Sequence, residues 1–244
     1  MSDEDLRVAL DRILGDDAGS TAPPSGSLGR LERLCTTLAR VLPATGVGVS
    51  LLIDDVHAGA TVAVSDPDSR VLEELQFSLG EGPSIDAYAT RRPVFEPDLE
   101  GQGTRRWPGY APAAQQRGVR AVFAFPLQVG SARAGAMDIY RSEVGSLAPS
   151  ALDRARTFAD VAMGLLVDTQ ARATADAPST DLDGAMAHRL EVYQAQGMVM
   201  VDLDVGLDEA MARLRAFSYS EGRAISDVAK DIVDGKLVLE RDST

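Results

Sequence analysis

Three short apolar stripes with helical spacing follow one another near the end of this chain, and they limit what it can fold into more than any other feature. Met186, Leu190, Tyr193, Gly197 and Met200 recur at steps of three and four; Leu207, Ala210, Met211, Leu214 and Phe217 do so again; Ile225, Val228, Ala229, Ile232 and Val233 fit the i, i+3, i+4, i+7, i+8 pattern without a gap. Gly206 and the carboxylates of Asp208 and Glu209 open the second stripe, Glu221-Gly222 stops it, and Asp234-Gly235 stops the third. Helices this short are not stable alone, so the pattern predicts a three-helix bundle with Tyr193, Gly197, Leu214, Val228 and Ile232 in its core. Gly197 marks either a close helix crossing or a fraying helix end.

Upstream the pattern changes. Residues 1–27 begin with a brief amphipathic run and dissolve into Gly, Asp, Ser and Pro, the composition of a mobile tail. Leu28, Leu31, Leu34, Cys35, Leu38 and Leu42 predict a helix, and Val47, Val49, Leu51 and Ile53 with Thr61, Val62, Ala63 and Val64 predict a hairpin with His57 at its tip. An irregular middle follows, with helices near 70–75, 84–90 and 111–117 and an extended Pro93-Val94-Phe95. Two strong strands come next, 119–127 and 134–140, and Leu152, Ala155, Ala159, Ala162, Met163 and Leu166 close the segment with a long helix. This order predicts an α+β domain, an antiparallel sheet with helices on one face. Residues 171–181 form a polar connector in which Pro178 interrupts any continuous helix. The expected division is therefore a tail (1–27), a sheet domain (28–170), a linker (171–181) at which the two domains can change orientation, and a helical bundle (182–240).

Composition excludes several function classes. A net charge of −13 does not suit a protein that coats nucleic acid non-specifically. One cysteine, Cys35, expected as a buried small hydrophobe, and two histidines, His57 and His188, leave no intramolecular disulfide and no cysteine-based or His-rich metal site, so no metal or cofactor is expected. No apolar run approaches the ~20 residues needed to cross a bilayer, and the acidic start is unlike a secretory signal, so a cytoplasmic protein without a membrane is expected. The Leu79-Gly80-Glu81-Gly82-Pro83 loop lacks the Lys-Ser/Thr ending of a phosphate-binding loop. No Ser/His/Asp set is suggested and the carboxylates are expected to be spread over surfaces, so an enzyme is not expected.

The ordered set Gln194-Ala195-Gln196-Gly197-Met198-Val199, Glu209-Ala210, Leu214-Arg215-Ala216, Gly222-Arg223 and Asp227-Val228-Ala229-Lys230-Asp231-Ile232-Val233 resembles the ANTAR domain, a family of three-helix RNA-binding modules that act in transcription antitermination. Gln196 stands where that family often has Lys or Thr, and Ser218 where it usually has Ala. The sheet segment resembles GAF domains through Gly80-Glu81-Gly82-Pro83 with Ala87, Pro93-Val94 with Asp98-Leu99, Trp107-Pro108, Gly118-Val119-Arg120 with Pro126-Leu127, and Gly135-Ala136-Met137-Asp138. The resemblances imply a dimeric regulator whose GAF-like domain binds an unknown small-molecule ligand or serves structurally. Its bundle would bind RNA stem-loops of a leader transcript and so prevent a terminator from forming. Arg213, Arg215, Arg223 and Lys230 would supply charge, Gln194 and Gln196 amide groups, and Tyr219 a ring to stack on an unpaired base. The homodimer is expected to form an intersubunit bundle from the stripes at 28–42 and 152–170. The alternative is a GAF-mediated dimer that recruits a protein and binds no RNA.

Overall fold

The structure, a computed structural model, describes residues 27–53, 58–175 and 180–239, with side chains for 28–52, 60–168 and 191–239. The expected tail, His57, Pro178 and the side chains of Met186, Leu190 and His188 lie outside these residues.

Five antiparallel strands form one sheet in the order β2-β1-β5-β4-β3: β1 (Gly46–Ile53), β2 (Ala58–Val64), β3 (Val94–Glu96), β4 (Ala121–Val129) and β5 (Ala132–Arg141). Both expected hairpins are present, β1 with β2 and β4 with β5. Helix α1 (Ser27–Val41) and the 27-residue helix α6 (Pro149–Ala175) cover one face of the sheet. Their stripes, Leu31, Leu34, Cys35 and Leu38 with Ala155, Phe158 and Ala162, are buried against Val47, Val49, Phe123, Phe125, Met137 and Ile139, which alternate toward that face. These stripes are consumed inside one chain, so the expected intersubunit bundle built from them is corrected. Cys35 is fully buried, and burial pushes its thiol pKa up, which leaves it a small hydrophobe.

The expectation of helices on one face is also corrected. The other face carries α2 (Pro67–Leu79), α3 (Pro83–Thr90), a wide helical turn at Leu99–Gly103 running into the short α4 (Thr104–Arg106), and α5 (Tyr110–Gln116). They bury a second core of Leu72, Ala87, Val94, Leu99, Trp107, Tyr110, Val122, Ala124 and Tyr140. The Asp66 carboxylate accepts from the Ser69 N–H and Pro67 takes the first position, which starts α2. Gly80 in the left-handed region (φ 68°) ends it. In the Gly80-Glu81-Gly82-Pro83 loop, Glu81 Oε1 accepts from the backbone N–H groups of Gly109 and Tyr110, at 2.6 and 2.8 Å, and so fixes the start of α5.

Three C-terminal helices follow, α7 (Thr180–Leu203), α8 (Leu207–Glu221) and α9 (Ile225–Val233). Helix α6 runs to Ala175 and α7 begins at Thr180, so helix occupies both ends of the expected 171–181 linker. Among the described residues no helix is long and apolar enough to cross a membrane.

Candidate nucleic-acid interface

The C-terminal bundle buries Val192, Ala195, Val199 and Leu203 of α7, Ala210, Met211 and Leu214 of α8, and Ile225, Val228, Ala229 and Ile232 of α9. Leu214, Val228 and Ile232 take their expected core places. On α7 the buried stripe lies one residue away from the expected one: Val192 is 2% exposed, whereas Tyr193 and Gly197 are only partly buried. Among the described residues a Cβ added at Gly197 would meet nothing within 4 Å, so none of the described helices crosses closely there. Leu207 is 54% exposed and is not part of the α8 core stripe.

Both departures from the ANTAR pattern are structural. Gln196 is 2% exposed, and its amide Nε2 donates to the Leu207 carbonyl at 2.8 Å, tying α7 to the start of α8. It presents no amide outward and leaves the expected RNA-facing set. Ser218, 3% exposed, donates its hydroxyl to the Arg223 carbonyl at 2.5 Å. With the Gly222 left-handed cap and the Arg223 N–H to Ser218 carbonyl bond of 3.0 Å, this closes the turn between α8 and α9.

The other expected residues do not form one patch. Gln194 and Lys230 are exposed, and Tyr219 is 69% exposed at the C-terminal end of α8. Arg213 pairs with Glu209 at 3.4 Å, and Arg223 pairs with Asp231 at 2.5 Å. Arg213 and Arg215 are two residues apart, about 200° around a helix, so they flank opposite sides of the buried stripe. Arg215 is partly buried instead of reachable: its guanidinium lies on the Gly80 turn of the sheet domain, and burial lowers its pKa.

A second group of polar residues escapes the sequence reading. Beneath α2, Glu73 (3% exposed) and Asp138 (0%) are both buried, against the expectation that carboxylates spread over surfaces. Glu73 and Gln76 stand one turn apart on α2; Asp138 and Tyr140 stand two apart on β5, facing the same side of the sheet. Ser50 Oγ donates to Glu73 Oε2 at 2.6 Å, Tyr140 Oη lies 2.7 Å from Glu73 Oε1, and Gln76 Nε2 donates to Asp138 Oδ2 at 2.5 Å. Gln76 Oε1 accepts from the Ser84 N–H at 2.8 Å. Desolvation, aided by the Asp138 charge, pushes Glu73 up to about 8, and desolvation pushes Asp138 up to about 6. Tyr140 Oη donates to Glu73 Oε1 and also lies 3.3 Å from Asp138 Oδ2, so one phenol links the two buried carboxyls. Asp138 Oδ1, Tyr110 Oη and Ser84 Oγ are buried and, among the described residues, have no hydrogen bond of good geometry. The signal for this cluster was present as polar residues on an otherwise apolar strand face and helix interior.

The comparisons with known proteins agree with this architecture. The family model for the GAF domain matches residues 30–168 and that for the ANTAR domain matches 180–233. A comparison with curated proteins finds no match. Among solved structures, the GAF domain from a phosphoenolpyruvate-protein phosphotransferase of Coxiella burnetii superposes with a TM-score of 0.54 at 18% identity, covering 70% of this chain and 95% of that one. The GAF domain from the Acinetobacter phosphoenolpyruvate-protein phosphotransferase gives 0.52 at 13% identity, with 70% and 97% covered. At such identities the likeness concerns fold alone. The fold and the family matches together place this chain in the GAF domain family, with an ANTAR domain following the GAF domain.

Proposed function

We propose that this protein is a signal-responsive, RNA-binding regulator of transcription antitermination. The ANTAR domain binds stem-loops of a leader transcript, and the GAF domain sets when it does so, through a small-molecule ligand or through dimerisation. A homodimer presents two bundles to tandem hairpins. Since the target is a nascent transcript, the protein works in the cytoplasm and as a regulator, not an enzyme.

The observation that carries this reading is Tyr219, an aromatic ring 69% exposed at the end of α8 within the ANTAR-matched bundle. Base–aromatic stacking contributes roughly 1–3 kcal/mol per base in single-strand binding, and it tolerates the acidic surroundings that weaken phosphate contacts. Exposed Lys230 and Gln194, with Arg213, Arg215 and Arg223, complete the proposed contact set. The test is a gel shift with a two-hairpin leader RNA at rising salt. Tyr219→Ala is expected to weaken binding about 5- to 150-fold with helix content unchanged. Absence of any RNA complex at low salt would replace this reading with recruitment of a protein partner.

A further inference from the structure

Helix α2 makes two sets of contacts that the separate family matches to the GAF and ANTAR domains leave unconnected. On the sheet side it supplies Glu73 and Gln76 to the buried cluster. Its next residue, Phe77, is partly buried and packs against the core of the ANTAR bundle. Its cap, Gly80, lies under the guanidinium of Arg215: a Cβ there would fall 2.5 Å from Arg215 Nη1 and 2.6 Å from Cζ. Helix α8 packs on α2 and helix α7 on β2, so the bundle is seated on the sheet domain at two places.

A guanidinium covered by this turn cannot also meet a phosphate or an unpaired base. Arg215 lies one turn before Tyr219 on the same flank of α8, so the seat covers part of the surface to which RNA binding is assigned above. Glycine is required at the seat, because the position is left-handed and any side chain would push the arginine away. We propose that this seat is an autoinhibitory dock, in which the last turn of α2 hides Arg215 from RNA, and that stem-loops bind at full strength only when α2 and the bundle separate. The inference rests on the RNA-binding reading for its consequence but not for the dock itself. Gln76, adjacent to Phe77, is bonded to Asp138 on the sheet and to the Ser84 N–H at the start of α3. A change in the buried cluster therefore reaches the dock through a single helix.

The test uses the full chain carrying Phe77→Asp, with Gly80→Asn as a second route, since Asn tolerates the left-handed conformation while its Cβ evicts the guanidinium. The first readout is the rate at which phenylglyoxal modifies Arg215, followed by peptide mass spectrometry. The second is the hairpin gel shift. Both variants are expected to react faster at Arg215 and to bind the hairpins more tightly, by about 5- to 150-fold, the range of a typical coupling free energy. Adding Arg215→Ala to either variant is expected to remove that gain. Equal modification rates in wild type and both variants would overturn the dock. Faster modification with unchanged RNA affinity would overturn the autoinhibition. Faster modification with no RNA bound by any form would support the dock and overturn the RNA-binding reading.

Discussion

At the scale of single residues, Glu73 makes the clearest demand on the rest of the chain. Its carboxyl is buried among neutral donors and beside a second carboxyl, so its pKa in the folded state, about 8, lies above its ordinary 4.5. The folded state then binds more protons than the unfolded chain between those values. The stability this contributes is full below about 4.5 and is lost as pH rises through about 8. Asp138 acts in the same direction between 3.8 and about 6. The melting temperature is therefore expected to fall as pH is raised from 5 toward 8.5, and Glu73→Gln, which keeps a neutral polar head, is expected to flatten the upper part of that fall. Melting curves in a pH series check both, and a flat wild-type profile would contradict the burial argument. Gln196 is the counterpart in the bundle: Gln196→Ala removes the side-chain donor that ties α7 to the Leu207 carbonyl and is expected to cost about 0.5–1.5 kcal/mol in denaturant unfolding.

At the scale of elements, what could be read from the sequence was what periodicity carries. The third bundle stripe and the α1 stripe stand as expected because every buried position is apolar. The buried stripe of helix α7 lies one residue, about 100°, from the expected one, because it contains Gln196 and Ala195 while the partly buried flank beside it carries Tyr193 and Met200, so the apolar pattern is shifted toward that flank. The second layer of the sheet was invisible for a related reason. Where α2 sits on β1, the strand presents Gly46, Gly48 and Ser50, which have no apolar pattern but leave room for Ser69 and Glu73. Of the expected RNA-facing residues, the sequence could not show that Gln196 is spent between helices, that Arg223 is held by Asp231, or that Arg215 is covered, because each depends on contacts between elements. Two substitutions separate these cases. Gly48→Ala would place a Cβ 2.0 Å from Glu73 Oε1 and is expected to cost about 1–3 kcal/mol. Gly197→Ala, in open space, is expected to stabilise α7 by about 0.5–1 kcal/mol through helix propensity; a loss would restore the close crossing.

At the scale of the whole molecule, a homodimer must use surfaces other than the inward stripes of α1 and α6. Light scattering of the full chain at micromolar concentration is expected to give twice the mass of one chain, and a monomer would remove dimerisation from the proposed function. The ring of Phe77 has a different consequence, which concerns where one domain ends and the next begins. The family matches part at residues 168 and 180, yet a side chain about a hundred positions earlier in the chain packs against the ANTAR core. A boundary drawn along the sequence is thus not the boundary along which the molecule comes apart. Transplanted behind a foreign sensor, the bundle would lose the cover that this ring gives its core, and the chimera is expected to be less stable in denaturant unfolding than the full chain unless its new host packs an apolar side chain at the same place.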